Sequence, residues 1–134
     1  MRKTGLQLWF ALMMMVSAVL ACSFNVSTAS IKNVTMARDA NGKEPTTTFA
    51  QDDTFHCLVQ LANAPDDTVV KAAWTAVEAE GVEPNFFIDE NELTSRSGTL
   101  HFKLTNDKLW PKGQYKVDLY LNGKLSRTVE FKVE

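Results

Sequence analysis

The chain has 134 residues, 45% of them apolar and 22% charged, with a formal net charge of −2 at pH 7. That length fits a single domain with its own hydrophobic core and leaves no room for a large second one. The weakly acidic balance argues against the basic footprint of nucleic-acid binders and of proteins adsorbed on anionic lipid. The chain opens Met1-Arg2-Lys3, and from Leu6 to Ala21 no residue is charged. A basic head, roughly 15 apolar-dominated residues and small residues at the end describe a secretory signal, shorter than the ~20 residues of a spanning helix.

The run closes on Val19-Leu20-Ala21-Cys22. These four residues resemble the lipobox of bacterial lipoproteins, although that family favours leucine where Val19 stands and a smaller residue where Leu20 stands. The resemblance implies that the Cys22 thiol is alkylated with diacylglycerol and that the bond before it is cut. Residues 1–21 are then a signal peptide, and Cys22 becomes the first residue of the mature protein. One acyl chain holds a protein only marginally, whereas two or three anchor it, so the chain is expected to be tethered to a membrane without spanning it. Ser23 follows Cys22 where the family's inner-membrane retention signal has Asp. The resemblance therefore implies the outer membrane in a two-membrane cell, and otherwise the outer face of the cell membrane. The mature chain has 113 residues, with 12 basic against 16 acidic side chains and a net charge of −4. Cys57 is its only other thiol, so no intradomain disulfide can form.

Residues 22–29 are mostly small and polar, and we read them as a tether reaching about 25 Å. From residue 30 on, the dominant signal has period two. Ile31 to Ala37 is a weak strand carrying Ile31, Val34 and Met36. Phe55, Cys57, Val59 and Leu61 alternate with His56, Leu58 and Gln60. Val69 to Glu78 centres on Trp74 with either phase open, and Phe86 to Ile88 adds a short strand. Leu100, Phe102 and Leu104 alternate with polar residues, as do Tyr115, Val117, Leu119 and Leu121, and Val129, Phe131 and Val133. Such alternation marks strands with one face in a core and one in water. Asn122-Gly123 between the last two is the preferred two-residue hairpin turn. No amphipathic helix of useful length is found. About seven short strands with turns between them predict an all-β antiparallel sandwich over residues 30–134.

Leu109, Pro111 and Tyr115 lead into the penultimate strand. This spacing resembles the tyrosine corner of immunoglobulin and fibronectin type III domains, whose tyrosine hydroxyl bonds back to the chain just upstream. The cysteine that follows two residues later in antibody-like domains is here Val117. The resemblance thus implies an immunoglobulin-like sandwich of the disulfide-free kind, and a fold without an assigned task.

Chemistry-bearing motifs are sparse. His56 and His101 are the only histidines; two histidines and a carboxylate could bind zinc, but they fall on solvent phases of separate strands. Asp89-Glu90-Asn91-Glu92 is the densest acidic run and reads as a solvated loop without EF-hand spacing. Asp52-Asp53 and Asp66-Asp67 read as turns. Cys57 lies on the core phase, where a thiol is inert. No serine-nucleophile or phosphate-binding motif is present, and no cofactor or metal is implied. Trp74, Phe55, Phe102 and Phe131 are expected in the core. Trp110, Tyr120 and one of Phe86 and Phe87 are expected on the surface, where aromatics suit sugar stacking or protein hot spots. For Trp110 the competing reading is packing beside Pro111.

The expectation is a non-catalytic envelope lipoprotein whose domain binds another envelope component, a protein or a glycan, and no nucleic acid. A carbohydrate- or wall-binding module and a small metal-dependent hydrolase are the alternatives. A concave cluster of both histidines and a carboxylate would favour the enzyme. A flat row of exposed aromatics would favour sugar, and a long uncovered strand edge would favour protein association by strand addition.

Overall fold

The computed structural model describes residues 28–134; the signal segment, Cys22 and residues 23–27 lie outside them. Eight strands follow in order: β1 (Ser30–Ala37), β2 (Thr48–Phe49), β3 (Phe55–Ala62), β4 (Thr68–Ala79), β5 (Phe86–Ser95), β6 (Gly98–Leu104), β7 (Gly113–Leu121) and β8 (Lys124–Val133). No helix occurs among the described residues. The strands form a three-stranded sheet, β1-β3-β6, and a five-stranded sheet, β2-β8-β7-β4-β5. All pairings are antiparallel except β2 with β8, which is parallel.

Alternation puts one face of each sheet into a shared core. Phe55, Cys57, Val59 and Leu61 of β3 and Leu100, Phe102 and Leu104 of β6 are buried from one side. Val70, Ala72, Trp74 and Ala76 of β4, with Tyr115, Val117 and Leu119 of β7, are buried from the other. The odd step from Ile31 to Val34 on β1 has a local cause: the register jumps between Ile31 and Asn33, so Lys32 is an extra residue. A bulge of this kind restores the inward phase at Val34 and Met36. The core is aromatic at one end. Phe55 stacks on Trp110 with ring centroids 4.6 Å apart and meets Phe131 edge-on at 4.8 Å. Phe49 of β2 joins them at 4.9 Å from Phe55. The indole N–H of Trp74 is buried without a hydrogen-bond partner.

Asn122 and Gly123 both take positive φ, 49° and 82°, as the tight turn between β7 and β8 requires. The Tyr115 hydroxyl donates to the Pro111 carbonyl at 2.5 Å, which closes the tyrosine corner. Cys57 is fully buried and unpaired, with its thiol pushed up to about 12 by desolvation.

Candidate functional site at the edge of the five-stranded sheet

β4 and β5 form a long hairpin whose turn is set by Gly81 and Asn85, both at positive φ. β4 then pairs with β7 on its other side, which leaves β5 as the end of the five-stranded sheet. β5 runs ten residues, and every one of them is exposed or half-buried. The acidic run Asp89–Glu92 therefore lies on a strand, and the expectation of a loop is corrected. Its reason is physical: an edge strand with little core contact needs no apolar alternation, so the period-two signal vanishes. The predicted strand at Phe86–Ile88 is only the first third of it. Asp66-Asp67, by contrast, do form a turn. Asp53 likewise closes a turn, accepting from the Ala50 amide at 2.7 Å and pairing with Arg38 at 3.2 Å.

The register sets which way the β5 side chains lie. Phe86, Asp89, Asn91 and Leu93 oppose the core-facing positions Ala76, Trp74, Ala72 and Val70. Phe87, Glu90 and Glu92 oppose the outer positions Thr75, Ala73 and Lys71. Ile88 is an extra residue between the Trp74 and Thr75 pairs, and this bulge turns both Ile88 and Asp89 towards the seam between the sheets. There, β5 faces β6, the edge of the three-stranded sheet. The Asn91 side-chain amide donates across the seam to the Lys103 carbonyl at 3.4 Å.

Two open cavities of about 610 and 470 Å³ lie along this seam and share Asp89, Leu104 and Thr105. The larger is walled by Ala76, Val82, Phe86, Ile88, Leu104, Trp110 and Tyr115, with Glu83 and Asp89 as its charged groups. The smaller adds Glu92, Leu93, His101 and Lys103. Of the five large apolar side chains that are exposed among the described residues, Phe86, Phe87 and Leu93 stand on β5. Sequence reasoning named the first two and missed Leu93, which directly follows the acidic run read as a loop.

The sequence-named aromatics do not form one surface. Trp110 is only 5% exposed, so of its two readings the packing beside Pro111 holds and the surface one falls. Its indole N–H donates to the Asp53 carbonyl at 2.9 Å, its backbone amide donates to Gln51, and its ring lies on Phe55. It is a corner-packing residue whose accessible rim lines the larger cavity beside Phe86. Tyr120 is half-buried on the outer face of the five-stranded sheet, with Lys71 Nζ 4.7 Å from its ring centre. Phe87 shares that face, four positions further along β4, and both phenylalanines of the pair are exposed.

The two histidines do come together, on the outer face of the three-stranded sheet. His56 Nδ1 and His101 Nε2 are 2.7 Å apart and the rings stack at 5.0 Å. At that distance one ring donates and the other accepts, so the accepting ring is neutral. Burial first, then His101 and Lys103, hold the His56 pKa below its ordinary value, against the opposing pull of Asp39. The Asp39 carboxylate is already engaged: it accepts from the amides of Asn41, Lys43 and Glu44, which hold its own pKa down. No group of three or more His, Cys, Asp or Glu side chains able to hold a metal exists among the described residues.

No protein-family model matches the chain, and no curated protein matches it. Solved structures match its shape. An immunoglobulin-like protein from Pseudomonas aeruginosa superposes with a TM-score of 0.51 at 15% identity, covering 79% of this chain and 96% of that one. The alkylpurine DNA glycosylase AlkC of Pseudomonas fluorescens gives 0.52 at 16% identity, covering 81% of this chain and 31% of that one. A β-glucosidase from Listeria innocua gives 0.51 at 15%, covering 82% and 17%. The chain thus spans less than a third of the glycosylase and less than a fifth of the glucosidase. At such identities the likeness defines the fold: an eight-stranded, disulfide-free immunoglobulin-like β-sandwich.

Proposed function

We propose that this chain is a non-catalytic binding protein of a bacterial envelope. It is held to the membrane by lipid on Cys22, and it takes an extended segment of another envelope protein along β5. The observation that carries the binding reading is the ten-residue β5 edge, paired on one side only, with Phe86 and Leu93 exposed on the side of the seam and Phe87 exposed on the outer face. An unpaired edge is a template for a further strand: main-chain hydrogen bonds supply affinity, and alternate side chains supply specificity. The anchor rests on the lipobox resemblance of Val19-Leu20-Ala21-Cys22 behind a basic head and an uncharged core. Ser23 supports the outer membrane where the cell has two. A glycan-stacking platform is less well supported, because Trp110 is buried and Tyr120 and Phe86 lie on different faces.

Two measurements in the native cell test this. A photo-reactive residue at Phe87 should trap one discrete protein, and the same residue at Thr35, on the outer face of the other sheet, should not. Equal trapping at both positions, or none at Phe87, refutes β5 as the binding edge. Cys22→Ser should abolish incorporation of a fatty-acid analogue, and equal label in mutant and wild type refutes the anchor.

A further inference from the structure

The chemistry of the seam narrows what can lie along β5, given the reading of β5 as a binding edge. The carboxylates of Asp89, Glu90 and Glu92 occupy consecutive charged positions on the strand, and Glu83 joins Asp89 at the larger cavity. Lysine, arginine and histidine are absent from that cavity's lining. Glu90 is offset by Lys71 at 3.7 Å, and Lys103 borders the smaller cavity, so two cations stand against four carboxylates. Ala76, Val82, Phe86, Ile88, Leu104 and Trp110 supply apolar wall to the larger cavity.

A second copy of this chain is a poor occupant. Directly opposed side chains share a face of the sheet, so in the symmetric antiparallel register of two β5 strands centred on Asn91, Glu90 faces Glu92 twice. The symmetric register centred on Glu90 sets that carboxylate against its own copy. Like charges directly opposite one another on paired strands repel. Segments rich in Asp or Glu meet the same repulsion.

We propose that β5 and its seam bind an extended, basic polypeptide segment: alternating Lys or Arg side chains meet Glu90 and Glu92 on the outer face, and one large apolar side chain on the opposite face enters the cavity between Phe86, Ile88 and Trp110, beside Asp89. The backbone of that segment continues the five-stranded sheet beyond β5. Its charges supply orientation and exclude acidic competitors.

Three fluorescent ten-residue peptides test this against the full chain held in a non-ionic detergent micelle. Each alternates valine with a second residue around one central phenylalanine, and that residue is lysine, serine or glutamate. Anisotropy should show the lysine peptide binding at least roughly tenfold tighter than the serine peptide, with the gap closing as salt is raised. Hydrogen exchange should slow at amides within 86–95. The double variant Glu90→Lys with Glu92→Lys should prefer the glutamate peptide; both side chains are exposed, so the fold is not at stake. Equal binding of all three peptides with protection of β5 overturns the basic class and leaves the binding edge standing. Lysine-peptide binding that protects other strands, or that the double variant does not weaken, overturns the site itself.

Discussion

Tyr115→Phe isolates one hydrogen bond in an otherwise unchanged core. The ring is buried against Phe131 at 5.6 Å, Phe55 at 5.8 Å and Trp110 at 6.3 Å, and phenylalanine preserves those contacts. What disappears is the hydroxyl that donates to the Pro111 carbonyl. A net intramolecular hydrogen bond contributes about 0.5–1.5 kcal/mol, and stranding a buried acceptor adds to that. Pro111 is half-buried, so water relieves part of the added cost, and the expected loss is about 1–2 kcal/mol. With a urea m value of about 1.5 kcal/mol/M for a domain of this size, the midpoint should fall by about 1 M at unchanged m. A second arm uses pH. Desolvation raises the Tyr115 pKa from 10.0 to about 12. A raised folded pKa means stability is complete below pH 10 and is lost as pH rises from 10 towards 12. Tyr115→Phe should remove that part of the alkaline decline. A midpoint and an alkaline slope both unchanged by the substitution would refute the corner as a source of stability.

The remaining predictions probe the core and the turn before β7. Cys57 is fully buried with its pKa raised to about 12 by desolvation, so a thiol reagent at neutral pH should label it slowly in the native protein and quickly in urea. Cys57→Ala should cost of order 1 kcal/mol through a small cavity, and should remove the alkaline loss of stability that begins near pH 9. Rapid native labelling would show that the β3 alternation had been misread. Gly113 takes φ 152°, and a Cβ there would lie 2.1 Å from the Glu78 carbonyl oxygen and 2.5 Å from Ala79 Cα. Those are backbone atoms of the paired strand and cannot swing aside. Gly113→Ala should therefore cost more than about 3 kcal/mol, against about 1 kcal/mol for an ordinary substitution. A thermal midpoint within a degree of wild type would refute that close approach.

How much of this was legible depended on how much core each strand touches. β3, β6, β7 and β8 each bury one face, so their alternation was readable, as were the Asn122-Gly123 turn and the tyrosine corner. β4 was ambiguous in phase because it is central: β5 and β7 flank it, and even outward-facing Ala73 is buried. β1 was weakened by the extra residue Lys32, which breaks the period. β2 has only two residues, too few for any periodicity, yet it brings Phe49 into the aromatic end of the core. Trp110 has no periodic neighbours at all. Its burial follows from hydrogen bonds to Gln51 and Asp53, which lie 59 and 57 positions away in sequence. The candidate site was the least legible part. Phe86 and Phe87 could be named as exposed aromatics, but the seam draws on β4, β5, β6 and the loop before β7, and only the pairing order of the two sheets brings these together.

The acidic edge has a second physical consequence, separable from what it binds. A ten-residue open strand with three exposed apolar side chains is a hazard for edge-to-edge pairing, and natural sheets block such edges with charge. In β5 the block would be Asp89, Glu90 and Glu92. Two symmetric Glu90–Glu92 oppositions at about 0.5 kcal/mol each amount to about 1 kcal/mol against a self-paired dimer, or roughly fivefold in its affinity. The exposed phenylalanines add the attraction that the charges restrain. The triple variant Asp89→Asn, Glu90→Gln, Glu92→Gln keeps the size of each side chain and one acceptor oxygen on it, and removes the charge. It should fold like wild type, because none of the three is buried. It should also show concentration-dependent dimers by sedimentation where wild type remains monomeric, with protection from hydrogen exchange confined to β5. Raising salt should push wild type in the same direction, since screening acts on the same exposed charges. Identical sedimentation of variant and wild type across concentration and salt would show that the run does not guard the edge, and its acidity would then bear on partner choice alone.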